Sequence, residues 1–264
     1  MANGKGLLID LDGTLYHGNR VIPGAADWIK RLQQAGTPYL FVTNNSSRTP
    51  EGVAAHMREL GIDATAEQVC TSALAAAAYI AKQKPGATVH VIGEPGLLSA
   101  VTDAGLSVSA NKPDYVLQGI DRSFTYDKLT IALRLISEGA IFVLTNPDLQ
   151  LPSHDGLLPG AGTLGAAISA ATAVEPIVIG KPSSILMEYA LEQIGLPAED
   201  TIVIGDNMLT DIAAGVAAGC QTILVMTGVT TEHNLSQHEA RTGVRADRLC
   251  RTLDEIDPAR LDSV

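Results

Sequence analysis

The chain has 264 residues, 46% apolar and 18% charged, enough for one large domain or two smaller ones and too apolar for a disordered chain. A formal net charge of -11 and a pI near 4.9 argue against nucleic-acid polymers and anionic membranes as partners, because both need a basic face; an anionic ligand must therefore meet local cations. No stretch approaches the ~18 consecutive apolar residues of a membrane span, so the expected location is cytoplasmic. Cys70, Cys220 and Cys250 are far apart and odd in number, which predicts buried reduced thiols.

In chain order, apolar β-rich runs are expected at 6–9, 39–42, 88–92, 115–118, 141–144, 177–179, 201–204 and 222–225. Helical patterns lie between them at 25–35, 52–60, 72–82, 126–138, 183–194 and 208–218. Gly36 and Gly195 fall where helices should end, since glycine accepts the left-handed conformation of a C-terminal cap. Strands alternating with helices predict an α/β fold, a Rossmann-like doubly wound parallel sheet. The core pattern covers 1–81 and 179–264, and 82–178 carries strands and helices of its own, enough for an inserted α/β cap domain.

Four of the runs end in polar groups. The first leads into Asp10-Leu11-Asp12, the second into Thr43-Asn44-Asn45-Ser46, the sixth into Gly180-Lys181-Pro182, and the seventh into Gly205-Asp206-Asn207, with Asp211 close behind. Each has an ordinary explanation as a turn, a helix cap or a solvated amine. Ligands of open parallel sheets, however, bind beyond the carboxyl ends of the strands, so four such endings can converge from distant parts of the chain. Two carboxylates ~4 Å apart repel by roughly 4 kcal/mol at an effective dielectric near 20, so Asp10 and Asp12 call for a cation. A hard divalent ion would satisfy them, and an aspartate so placed can also attack phosphorus.

The ordered set D-x-D-G-T-L, T-N-N-S, G-K-P and G-D-x-x-x-T-D resembles the haloacid dehalogenase (HAD) superfamily of aspartate-nucleophile phosphatases. Thr-Asn-Asn-Ser after the second core strand, with a long insertion before the lysine, is most similar to its NagD-like and para-nitrophenylphosphatase-like branch. The resemblance implies an Mg2+-dependent phosphatase acting on small phosphorylated metabolites through an aspartyl-phosphate. Asp10 would be the nucleophile and Asp12 the general acid and base. Thr43, Asn44 and Lys181 would hold the phosphoryl oxygens. The metal would be bound by Asp10, the Asp12 carbonyl and Asp206, with Asp211 and Asn207 supporting that shell from behind. In the cap, Asn146 and Asp148 would meet the leaving group. The resemblance is also compatible with a homodimer joined through the cap.

A phosphomutase, a metal-independent dehalogenase and a catalytically idle binding protein compete with this reading. A dehalogenase has no use for the leaving-group acid Asp12. Mutases of the superfamily usually carry a small helical cap before the threonine motif, where this chain has about 30 residues. A binding protein has no reason to keep Asp10, Asp12, Lys181 and Asp206 together. Gly160-Ala161-Gly162-Thr163-Leu164-Gly165 matches G-x-G-x-x-G, but no β-rich run precedes it and no acid ends a strand ~20 residues later, so a dinucleotide site is not expected.

Overall fold

The computed structural model describes residues 5–153 and 156–261. The fold is α/β, and the chain divides into two compact units. The first holds the described residues of Met1–Thr43, Glu51–Cys70 and Lys181–Val264; the second holds Asn44–Pro50 and Thr71–Gly180.

The first unit is built on a six-stranded sheet in the order 248–250, 221–225, 201–205, 6–9, 39–43, 69–71. The Gly6–Ile9 strand is central, pairing parallel with Thr201–Gly205 on one side and Tyr39–Thr43 on the other. A parallel strand covered by helices on both faces must be apolar throughout, and every residue of Gly6–Ile9 and Thr201–Gly205 is buried. The core on one face gathers Trp28, Ile29 and Leu32 of helix Ala25–Ala35 with Ile9, Phe41, Ile204 and Ile256. The Trp28 indole satisfies its N–H on the Ile256 carbonyl at 2.9 Å. Gly36, at φ 67°, ends that helix in the left-handed conformation expected of it. All three cysteines are buried and unpaired, and burial pushes the Cys70 thiol up to about 12.

The second unit has its own parallel sheet in the order 177–178, 141–144, 115–118, 88–92, 107–108. Helices Tyr126–Ser137 and Ala161–Thr172 pack together and contribute Ala132, Leu135, Ile136 and Ile168 to a core with Ile92, Val116 and Phe142.

Several expectations need correction. Helix Ser72–Gln83, read as core, packs on Pro95–Asp103 in the second unit, so the division falls at Thr71 and at Gly180 instead of near 82 and 178. The loop Asn44–Pro50 goes with it: the Ser72 hydroxyl donates to the Asn44 carbonyl at 2.7 Å, and Ile120 N–H donates to the Ser46 hydroxyl at 3.1 Å. Gly156–Pro159, where no β-rich run was expected, pairs antiparallel with Gln150–Ser153. The G-x-G-x-x-G stretch then opens helix Ala161–Thr172. Its glycines serve close packing, since a Cβ at Gly162 would strike the Pro147 carbonyl and one at Gly165 would press on the Gln118 amide. Among the described residues, no helix is long and apolar enough to cross a membrane.

Candidate active site

Sheet register places the polar endings of the first unit. Ile9 lies opposite Ile204 on one neighbour and Phe41 on the other, so Asp10 emerges beside Gly205-Asp206 and near Thr43 at the carboxyl ends of adjacent strands. The Asp10 N–H donates to the Ile204 carbonyl at 2.9 Å, which fixes the backbone as it leaves the sheet. Lys181 then crosses beneath. Its buried ammonium donates to Asp10 Oδ1 at 2.5 Å and to the Val42 carbonyl at 3.3 Å, and lies 2.7 Å from Asp211 Oδ1. Thr14 Oγ1 donates to the other Asp10 oxygen at 3.2 Å.

Asp10, Asp206 and Asp211 form the group in which one oxygen from each lies within 4.8 Å of the others. Local folding holds each in place. After Thr201–Gly205 the chain makes a wide turn over Met208–Ile212, where Ile212 N–H reaches back five residues to the Asn207 carbonyl at 3.3 Å, before the helix tightens at Ala213–Ala217. The 208–218 segment was expected to be one regular helix. The wide turn brings Asp211 Oδ2 to the Asn207 N–H at 3.0 Å, while Asn207 Oδ1 caps Leu209 N–H at 2.9 Å. Such turns concentrate at functional sites.

With all groups ionised, three carboxylates and one ammonium leave two uncompensated negative charges in a largely buried site. The electrostatics record that excess. Burial and the charges of Asp211 and Asp206 hold the Asp10 carboxyl well above the usual carboxylate range, against the pull of Lys181. Burial and Asp211 push Asp206 up to about 7, against the Val229 N–H and Lys181. For Lys181, burial alone would lower the ammonium, but Asp10 and Asp211 outweigh it and the net shift is upward. The lysine is therefore fixed as a cation. The remaining excess fits one divalent ion bound by carboxylate oxygens.

Asp12 stands apart from this group. Its side chain reaches solvent, although the surrounding protein raises its carboxyl above the ordinary value by desolvation, opposed by the Gly18 N–H and by the charges of His17 and His56. Gly18 N–H donates to Asp12 Oδ2 at 3.4 Å from the tight Tyr16–His17/Arg20–Val21 hairpin. Thr43 is half-buried at the end of its strand.

The remaining expected residues lie in the second unit. Asn44 Nδ2 donates to Asp148 Oδ2 at 3.1 Å. Asn146 is buried, donates to the Asn44 carbonyl at 2.8 Å and accepts from Asp148 N–H at 3.2 Å. Its amide thus helps to hold the loop. Asp148 is half-buried.

A fifth strand ending was missed. After Gln221–Val225, Val229 N–H donates to Asp206 Oδ2 at 2.5 Å, Thr230 N–H donates to the Asp206 carbonyl at 3.0 Å, and the Thr230 hydroxyl accepts from Met208 N–H at 3.0 Å. Gly13, at φ 94°, and Gly228 pass so close that a Cβ at either would collide with the Asp206 carboxylate. The signal was available: Thr227-Gly228-Val229-Thr230 is a polar, glycine-bearing stretch directly after an apolar run.

Comparison with known proteins agrees with this geometry. The family described as haloacid dehalogenase-like hydrolase matches residues 7–107, and a second HAD-like hydrolase family matches 178–256. The 5'-nucleotidase YutF of Bacillus subtilis is 47% identical over 232 residues, covering 88% of this chain and 91% of that protein. An acid sugar phosphatase of Staphylococcus aureus strain USA300 is 48% identical over 228 residues, covering 86% and 88%. The solved structure of a p-nitrophenyl phosphatase from Archaeoglobus fulgidus superposes with a TM-score of 0.90 at 35% identity, covering 99% of each chain. The chain belongs to the haloacid dehalogenase-like hydrolases, as one of their NagD-like phosphatases.

Proposed function

We propose that this phosphatase hydrolyses small phosphate monoesters in two steps through a phosphoryl group carried on Asp10. The observation that carries the reading is the Asp10, Asp206 and Asp211 group held around the Lys181 ammonium. Lys181 and Thr14 fix the two Asp10 oxygens, so the carboxylate meets phosphorus in one orientation. The Asp10 oxygen forms a bond to phosphorus as the ester oxygen departs, and Asp12 gives that oxygen its proton. Asp12, now ionised, takes a proton from water; the water oxygen bonds to phosphorus, the bond to Asp10 breaks, and inorganic phosphate leaves. General acid and base help of this kind is typically worth roughly 10²- to 10⁴-fold. Lys181 and the Thr43 hydroxyl balance charge on the equatorial oxygens.

Asp10 and Asp206 would hold Mg2+ together with the Asp12 carbonyl, and Asp211 is near enough to orient a bound water or to join the shell. When bound, the ion neutralises the phosphoryl group and the crowded carboxylates. Because Gly228 leaves room for the Asp206 carboxylate, Gly228→Ala should weaken Mg2+ affinity by about 10- to 100-fold. Calorimetric titration checks this; unchanged affinity would show that Asp206 does not hold the ion in this orientation.

Nucleoside monophosphates and sugar phosphates are the proposed substrates, in keeping with the names of the relatives. Asp148 is proposed to set preference among them. Asp148→Ala should reorder kcat/KM across a panel of phosphates while leaving Mg2+ affinity unchanged. A uniform loss across all esters would mean that Asp148 acts only by holding Asn44. The direct test of the activity is phosphate release from that panel with Mg2+ and with chelator.

A further inference from the structure

We infer that His56 is a positioning residue for the Asp12 carboxylate, acting through Gly18 at the tip of the hairpin that follows the Asp10-Asp12 segment. This rests on the reading of Asp12 as general acid and base. Asp12 needs such help because it lies outside the buried acid group and its side chain reaches solvent. Its carboxylate accepts from Gly18 N–H at 3.4 Å, so the carboxylate is only as well aimed as the hairpin tip.

Gly18 is held in turn. His56 Nε2 lies 2.9 Å from the Gly18 carbonyl. A carbonyl can only accept, so Nε2 carries the proton in this contact whether or not the ring is charged. The His56 side chain is 13% exposed and meets the Tyr16 ring edge to face, with centroids 5.3 Å apart at 87°. Tyr16 is in the same hairpin, and the ring contact fixes the direction of the N–H. On the other side His17 Nε2 lies 2.8 Å from the Thr227 carbonyl, and the Thr227 hydroxyl donates to the Gly13 carbonyl at 2.7 Å. His56 therefore completes a hairpin anchored at both ends. Among the described residues its polar partners are the Gly18 carbonyl and, at 4.0 Å, the Glu59 carboxylate.

The test compares His56→Phe, which keeps a ring against Tyr16 and loses the N–H, with His56→Gln, whose amide can donate to Gly18. Misplacing an acid matters only where the leaving group needs a proton. His56→Phe should lower kcat/KM for an alkyl phosphate about tenfold more than for para-nitrophenyl phosphate, through kcat, with Mg2+ affinity unchanged. His56→Gln should restore most of the difference. Asp12→Ala is run beside them and should show the same leaving-group dependence more strongly. Equal losses of both esters in His56→Phe, or no rescue by glutamine, would overturn the inference even where Asp12→Ala behaves as expected. An Asp12→Ala enzyme without leaving-group dependence would overturn the acid assignment, and the role of His56 with it. Should the phenylalanine variant fail to fold, His56→Asn, whose shorter amide does not reach Gly18, is read by the same two outcomes.

Discussion

Asp10→Asn is expected to abolish turnover, by roughly 10⁴-fold or more, while the protein stays folded. The amide has the shape of the carboxylate but cannot bond covalently to phosphorus as a nucleophile. The structure adds a second expectation that separates lost chemistry from lost fold. Asp10 is one of three crowded carboxylates sharing a single ammonium, and its charge is disfavoured by burial and by Asp206 and Asp211. Removing it relieves repulsion, so the melting temperature of the metal-free variant should match or exceed that of the parent. An inactive but stable protein is the expected pair of results. Substantial metal-dependent turnover, in a sample checked for deamidation back to aspartate, would remove Asp10 from its role.

Metal removal should make stability depend on pH in a defined direction. Asp206 is pushed from 3.8 to about 7 by burial and Asp211. A carboxyl whose folded pKa lies above its unfolded value binds its proton more tightly when folded. Its contribution is complete below about pH 4 and is lost as pH rises through 7. A shift of that size is worth up to about 4 kcal/mol, and Asp10 acts in the same direction. The chelated protein should melt lower at pH 8 than at pH 5, and Mg2+ should raise the melting temperature more at pH 8, because binding requires the ionised carboxylates. Asp206→Asn should flatten the difference. Melting curves with equal Mg2+ stabilisation at both pH values would mean that the buried acids are not the metal site.

The residues of the candidate site were legible in the sequence for a physical reason. Parallel strands covered on both faces read as unbroken apolar runs, so Asp10, Thr43, Lys181 and Asp206 stood out as the polar groups where such runs stop. Much of what was missed depends on contacts between segments far apart in sequence. The Val229 and Thr230 bonds to the Asp206 loop need a fifth strand ending folded over the fourth. The wide turn that aims Asp211 looks like any helix start, because the periodicity of 208–218 is helical throughout. Helix Ser72–Gln83 is alanine-rich on every side, so its pattern could not say which unit it packs against. Residue type placed Asn146 in a polar loop, but its bond to the Asn44 carbonyl at 2.8 Å joins segments 102 residues apart and could not be read from the sequence.

Asp12→Ala offers the most direct test of the phosphoryl-Asp10 intermediate, because para-nitrophenolate leaves without a proton while the second step still needs a base. The variant should therefore load phosphate and release it slowly. Rapid quenching during the first turnover with para-nitrophenyl phosphate, followed by peptide mapping, should show a burst of nitrophenol and close to one phosphoryl group per active site, on Asp10. The same experiment on Asp10→Asn should show neither. Phosphate release without any phosphopeptide, or a phosphoryl group on another residue, would contradict the account.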